Sequence, residues 1–207
     1  NLTRAHQELF RRTADETYSS LADLADHCRT QRDQSVDHWE RIDDVAVTSD
    51  LTLGVDGSSD FELNDWSFSQ LCRLAGVSKE TIKRLSSKTA SRALAETLPR
   101  VDKPMQFLTT GNIVRSVHGV AYTRLWNADL MDLVRDFASD FQPPQPAEVG
   151  EGGTGLYCGE QDMFCFLIDP TGWAEINGEA FAPGFFLWNS EVGRRSVGIQ
   201  SFWFQSA

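Results

Sequence analysis

The most specific chemistry this sequence offers is the neutralisation of phosphate oxygens by Lys79, Lys83, Arg84, Arg115, Arg124, Arg194 and Arg195. The first three lie in FSQLCRLAGVSKETIKRL, residues 68–85. That segment has the helix, glycine-centred corner and second helix of a DNA-binding helix-turn-helix, with Ala75, Gly76, Val77 and Ile82 at its packing positions. In this reading Lys79, Glu80, Thr81 and Lys83 face a major groove. The competing reading is structural. Short helix pairs with a Gly-Val-Ser corner are common packing units, and this one sits mid-chain between strands.

Other clusters offer less. Asp129, Asp132 and Asp136 recur at spacings of three and four, which puts three carboxylates on one helical face. A solvated acidic face near a helix N-terminus explains them without a metal. Cys158, Cys165 and His118 do not supply the four ligands of a structural zinc site. His6, His27, His38 and His118 are the only imidazoles, and no Ser or Cys sits in a nucleophile elbow. Glu160, Asp162, Glu175, Glu179 and Glu191 gather in the last third, where paired-acid hydrolysis would need two of them to converge, but their spacing selects no pair. The glycines from Gly150 to Gly155 lack the Lys-Ser/Thr of a phosphate loop. The expectation is no catalytic residue, no metal and no cofactor.

Composition bounds the setting. A chain of 207 residues with 41% hydrophobic and 24% charged residues is long enough to bury a proper core. The net charge of −11 weighs against broad, sequence-independent nucleic-acid binding. The middle is different. Between Arg73 and Arg124 lie Lys79, Lys83, Arg84, Lys88, Arg92, Arg100, Lys103 and Arg115, opposed only by Glu80, Glu96 and Asp102. Cys28, Cys72, Cys158 and Cys165 are too scattered for a disulfide framework and read as reduced, mostly buried thiols of a cytoplasmic protein. Cys165 is expected in a core and Cys158 nearer the surface. No apolar window reaches the length of a membrane span and no signal peptide is evident, so no membrane partner is expected.

The elements that must position these side chains follow from periodicity. A helical stripe of Leu9, Phe10, Ala14, Tyr18, Leu21, Ala25 and Cys28 predicts an N-terminal helical segment over residues 1–40, its polar end from Gln31 to Glu40 exposed or connecting. Alternation at Val45, Val47, Leu51, Leu53 and Val55 predicts strands, closed by a turn over residues 56–60. Asn64 or Asp65, then Ser78, read as helix caps, with a further helix over residues 91–98. Residues 105–126 read as two or three strands. Asn127 reads as the cap of a helix to about Phe141, with Leu130, Met131, Val134 and Phe137 buried. A Pro/Gly-rich loop near residues 142–155 is the best internal boundary. Beyond it Leu156, Tyr157 and residues 163–168 read as strands. Phe181 to Phe204, FAPGFFLWNSEVGRRSVGIQSFWF, alternates as a long antiparallel hairpin whose turn holds Asn189, Ser190, Glu191 and a positive-φ Gly193. The fold class is α+β: a mainly antiparallel sheet packed on helices, one domain over residues 41–207, with strands from both sides of the loop.

Two stretches carry a resemblance. LNDWSFSQLCRLAGVSKETIKRL with NIVRSVHGVAYTRLWNADLMDLV, and the terminal hairpin with its N-S-E-x-G turn at Asn189, Ser190, Glu191 and Gly193, resemble the phage/plasmid-like family known as domain of unknown function 932. The resemblance runs from about Val45 to the end, and the N-S-E-x-G turn is its most specific part. The family usually continues past the last strand into a segment with Cys and Asn. Its role is unassigned, and its company implies mobile-element biology. The expectation is a non-enzymatic module that contacts nucleic acid, single- or double-stranded, through its basic middle. The alternatives are a protein-interaction or assembly module, with a protein partner or a second copy, and a hydrolase using the C-terminal carboxylates.

Overall fold

The computed structural model describes residues 13–55, 57, 60–100, 102–144 and 155–205. Leu9 and Phe10, most of the turn over residues 56–60, and the Pro/Gly loop from residue 145 to 154 lie outside the described residues. The fold is α+β with mainly antiparallel pairing and a long C-terminal hairpin. In chain order the first elements are α1 (Leu21–Asp33), β1 (Ser35–Glu40), β2 (Ala46–Val47), β3 (Leu53–Gly54) and β4 (Asp60–Leu63). Three helices follow, α2 (Asp65–Leu74), α3 (Lys79–Lys83) and α4 (Ser87–Thr97), then β5 (Met105–Thr110), β6 (Ile113–Gly119) and α5 (Asn127–Phe137). The chain ends with β7 (Leu156–Cys158), β8 (Met163–Ile168), β9 (Ala174–Ile176), β10 (Glu179–Asn189) and β11 (Gly198–Gln205).

Contacts divide the chain into two compact units: Asp33–Arg124, and Asn1–Arg32 with Leu125–Ala207. These boundaries differ from the partition at residue 40 read from sequence. The expected single sheet with strands from both sides of the Pro/Gly loop is corrected: one sheet is built from β1 to β6 and another from β7 to β11. The alternation of each strand is satisfied within its own segment, so no strand has to cross the loop to find a partner.

In Asp33–Arg124 the sheet order is β1-β5-β6-β4-β3-β2, with β4–β6 its one parallel pair among the described strands. Leu53, Phe61, Phe107, Val114 and Val117 meet Leu71 and Cys72 of α2, Ile82 of α3, and Ala90 and Leu94 of α4 in one core. The expected caps hold. Asn64 Oδ1 accepts the Ser67 N–H at 2.8 Å, and Ser78 Oγ accepts the Thr81 N–H at 3.4 Å. Gly76 sits at φ +67°, where its lack of a Cβ lets Val77 N–H reach Cys72 O at 3.0 Å and close α2. The polar stretch before Ile42, expected to be exposed or connecting, contains β1, an edge strand paired with β5.

In the other unit Ser20 Oγ accepts the Asp23 N–H at 3.1 Å and opens α1. Leu24, Ala25 and Cys28 of α1 and Ala128, Met131 and Val134 of α5 cover one face of β7, β8 and β10 through Cys165, Leu167 and Leu187. The opposite face is a run of rings. Tyr157 stacks on Phe164 with centroids 4.8 Å apart, and Phe166 on Phe186 at 5.1 Å. The order β11-β10-β8-β7 leaves β11 at the sheet edge, paired with β10 from Phe181↔Gln205 to Trp188↔Gly198. Phe137 is 86% exposed rather than buried, because α5 ends there, past its last buried residue Val134. Cys158, expected nearer the surface, is buried, as are the other three free cysteines.

Candidate functional site

The cations of the helical pair stay at the surface, Lys79 partly covered and Lys83 and Arg84 exposed. Lys79 Nζ lies 2.6 Å from Asp65 Oδ2 and Lys83 Nζ 3.1 Å from Asp65 Oδ1, so the two ammonium groups share one carboxylate at the start of α2 and one positive charge stays uncompensated. The two hydrogen bonds, from Lys79 first, hold the Asp65 carboxyl below its ordinary pKa of 3.8. Arg84 is exposed. α3 has five residues, roughly 7 Å of helix at about 1.5 Å per residue, which is short for a helix that must lie along a major groove.

Arg115 is buried within β6. The Arg124 side chain is 3% exposed, its guanidinium 2.8 Å from Asp37 Oδ1 and 3.1 Å from Gln106 Oε1, with its carbon 5.4 Å from the Tyr122 ring centre. Of the C-terminal pair, Arg194 is exposed, while Arg195 pairs with the buried Asp162 at 2.6 Å and lies 4.7 Å from the Phe164 ring centre. Thus Lys79 and Lys83 are brought together on Asp65. Arg115 and Arg124 are built into one unit, and Arg195 is built into the other.

The turn after β10 forms a second constellation, and it is buried. Asn189, Ser190 and Glu191 are 2%, 4% and 2% exposed. Asn189 Nδ2 donates to Leu125 O at 2.8 Å and to Asn127 Oδ1 at 2.9 Å. Ser190 Oγ donates to Gln161 O at 2.5 Å and accepts the Arg194 N–H at 2.8 Å. Glu191 Oε1 accepts the Asn127 N–H at 2.8 Å, so a carboxylate from a distant loop sits on the positive end of α5. Asn127, expected as the cap, is instead the first helical residue. Trp126 holds the cap position with no side-chain hydrogen bond of its own, and Glu191 takes over that function. Gly193 closes the turn at φ +72°, as expected.

This network continues to a thiol. Asn127 Nδ2 lies 3.6 Å from Cys158 Sγ. A hydrogen bond from Cys28, then one from His27 with its charge, holds the Cys158 thiol below its ordinary pKa of 9.0, against its burial. The Cys28 thiol is pushed up in turn. A thiol depressed in this way stabilises the fold fully above its unfolded value of 9.0, and that contribution is lost as pH falls through its lowered folded value. In His27→Ala, thiolate absorbance should titrate at higher pH than in the parent, and stability near neutral pH should vary less with pH. An unchanged absorbance midpoint would contradict this reading.

The acidic residues do not converge. Asp129 pairs with Arg32, and Asp132 with Arg29 at 2.8 Å. Asp162 is held by Arg195 and Glu191 by α5, while Glu160, Glu175 and Glu179 are exposed. No group of three His, Cys, Asp or Glu side chains that could hold a metal occurs among the described residues. No helix among them is long and apolar enough to cross a membrane.

The assembly alternative singles out Trp173, Phe185, Trp188 and Trp203, whose exposure on one sheet face would favour it, and two of the four are exposed. β11 exposes Ile199 at 69% and Trp203 at 64% on one face of a free sheet edge, with Val197 at 50% just before it. Trp173, at 41%, is exposed in the same unit, and its ring lies 6.2 Å from that of Phe204. Phe185 and Trp188, by contrast, are half-buried. No family model, curated protein or solved structure matches the chain.

Proposed function

We propose that this chain is a non-catalytic assembly module that joins a second copy of itself along the free edge of β11. The observation that carries the reading is the edge itself. Eight residues, GIQSFWFQ, have no charged side chain and no proline, and no strand pairs with their outer side among the described residues. Natural edge strands are usually short, charged or covered, because unpaired N–H and C=O groups recruit another strand. The other sheet ends obey that rule. β2 has two residues, β7 has three, and β1 carries Asp37 and Glu40. A second copy is the favoured occupant because antiparallel pairing of one strand with itself is a closed, two-fold contact. An uncharged strand also brings no repulsion into that contact, despite a net charge of −11.

The nucleic-acid reading draws less support, since Arg124 and Arg195 each hold a carboxylate and Lys79 and Lys83 share one. The hydrolase reading lacks a converging acid pair. The resemblance to a phage/plasmid-like family would give such an assembly a mobile-element setting.

Sedimentation velocity across a concentration series tests the reading. The parent chain should pass from monomer to dimer, and Trp203→Lys or Ile199→Lys should weaken dimerisation about tenfold or more, some 1.4 kcal/mol, with unchanged circular dichroism. A chain that stays monomeric throughout, or a dimer indifferent to both substitutions, would refute it.

A further inference from the structure

In the Asp33–Arg124 unit a cleft of about 680 Å³ opens between the β2–β3 turn, the start of α2 and the α3–α4 corner. That volume falls within the range of ligand pockets, roughly 300–1,000 Å³. Its walls are mixed: Leu51, Leu63, Phe68 and Leu85 form an apolar part, all four partly or fully accessible, beside the polar Thr52, Asn64 and Ser87. Asp50, Glu62 and Asp65 contribute carboxylates, and Lys83 is the one cation among its lining residues. Lys83 and Lys79 share Asp65. Asp50 and Glu62 are exposed, and among the described residues neither has an ion-pair partner.

We propose that this cleft docks a basic amphipathic polypeptide segment, whose aliphatic side chains pack on the apolar part of the wall and whose Lys or Arg groups pair with Asp50 and Glu62. The choice of occupant follows from complementarity. The apolar part of the wall favours hydrocarbon, while the carboxylates of Asp50 and Glu62 favour cations within a few ångströms. A simple polyamine would satisfy the second preference and leave the first unmet. An acidic or purely apolar segment would leave the two carboxylates unpaired beside it. The same geometry gives Lys83 a role that does not need nucleic acid: it pairs with Asp65, so Asp50 and Glu62 are the carboxylates of the lining that hold no lysine. This proposal stands on residues of one unit and is independent of pairing through β11.

The test is fluorescence anisotropy of a labelled, short Leu/Lys amphipathic peptide titrated with the full chain at low salt. The Leu/Glu counterpart and spermidine competition serve as controls. Asp50→Lys and Glu62→Lys should each weaken binding roughly fivefold or more, because each replaces an attraction by a repulsion. Leu85→Asn, at a 39% exposed position, should weaken it with little change in salt dependence. Glu175→Lys and Glu179→Lys, exposed in β9 and β10, should leave it unchanged. Equal losses from the β9 and β10 substitutions would mean nonspecific attraction to an acidic protein and would overturn the proposal. So would displacement of the peptide by spermidine as effectively as by unlabelled peptide, or equal binding of the Leu/Glu peptide.

Discussion

Glu191→Ala should lower the unfolding free energy by about 3 kcal/mol, the largest single effect expected in the Leu125–Ala207 segment. The side chain is 2% exposed and its Oε1 accepts the first N–H of α5 at 2.8 Å. Alanine removes that acceptor, leaves a donor at the helix start without its partner in a dry site, and opens a void the size of the lost side chain. The Asn189 and Ser190 bonds to Leu125, Asn127 and Gln161 hold the loop in the same place, so the void cannot collapse cheaply. Glu191→Gln keeps an oxygen acceptor and should recover about half of the loss. Urea denaturation of the parent and both variants measures this directly. A loss below about 1 kcal/mol for alanine would mean that the carboxylate does not serve as the cap of α5.

The second large effect is at Arg124. Arg124→Ala should cost about 3 kcal/mol, because it leaves the Asp37 carboxylate and Gln106 without the buried guanidinium that satisfies them. Lysine should rescue little, since a single ammonium cannot reproduce a planar group that bonds Asp37 and Gln106 and lies over Tyr122. Arg84→Ala, at an exposed position, is the comparison and should fall within about 0.5 kcal/mol of the parent. Equal and small changes at both positions would show that Arg124 is a surface cation after all and would revive its role as a phosphate contact.

What could be read from sequence divides along the range of the interactions. Asn64 and Ser78 were legible as caps because each accepts from a backbone N–H three residues on, a purely local rule. The terminal hairpin was legible because its two strands alternate and its turn carries Gly193. The cap of α5 was not legible. Its acceptor lies 64 residues along the chain, and the local candidate Asn127 faces Cys158 and Asn189 instead. β1 escaped because it is an edge strand with polar residues on both faces, so no period-two pattern of apolar residues marks it. β9 did leave a signal. Asn177 and Gly178, both at positive φ, join it to β10 as a tight turn of the kind an Asn-Gly pair favours.

The candidate cations show the same division. Composition correctly located a basic middle, but the turning of Lys79 and Lys83 onto Asp65 spans 14 and 18 residues and follows no spacing rule. Burial of Arg115 and Arg124 depends on which face of β6 and which side of the β1–β5 pair they meet, and charge counts carry no such information. The exposed edge of β11 was hidden for a further reason. Aromatic and β-branched residues signal a strand whether or not a neighbour covers it.

The claim that β11 is an assembly edge is tested most directly by hydrogen exchange of its backbone amides, followed residue by residue as protein concentration rises. Pairing with a second copy predicts that amides of Ile199 to Gln205 pointing away from β10 become protected with concentration, in step with the dimer seen by sedimentation. Trp203→Lys should abolish that protection. Outward amides that exchange at one fast rate at every concentration, while the β10-facing amides stay protected, would contradict the account.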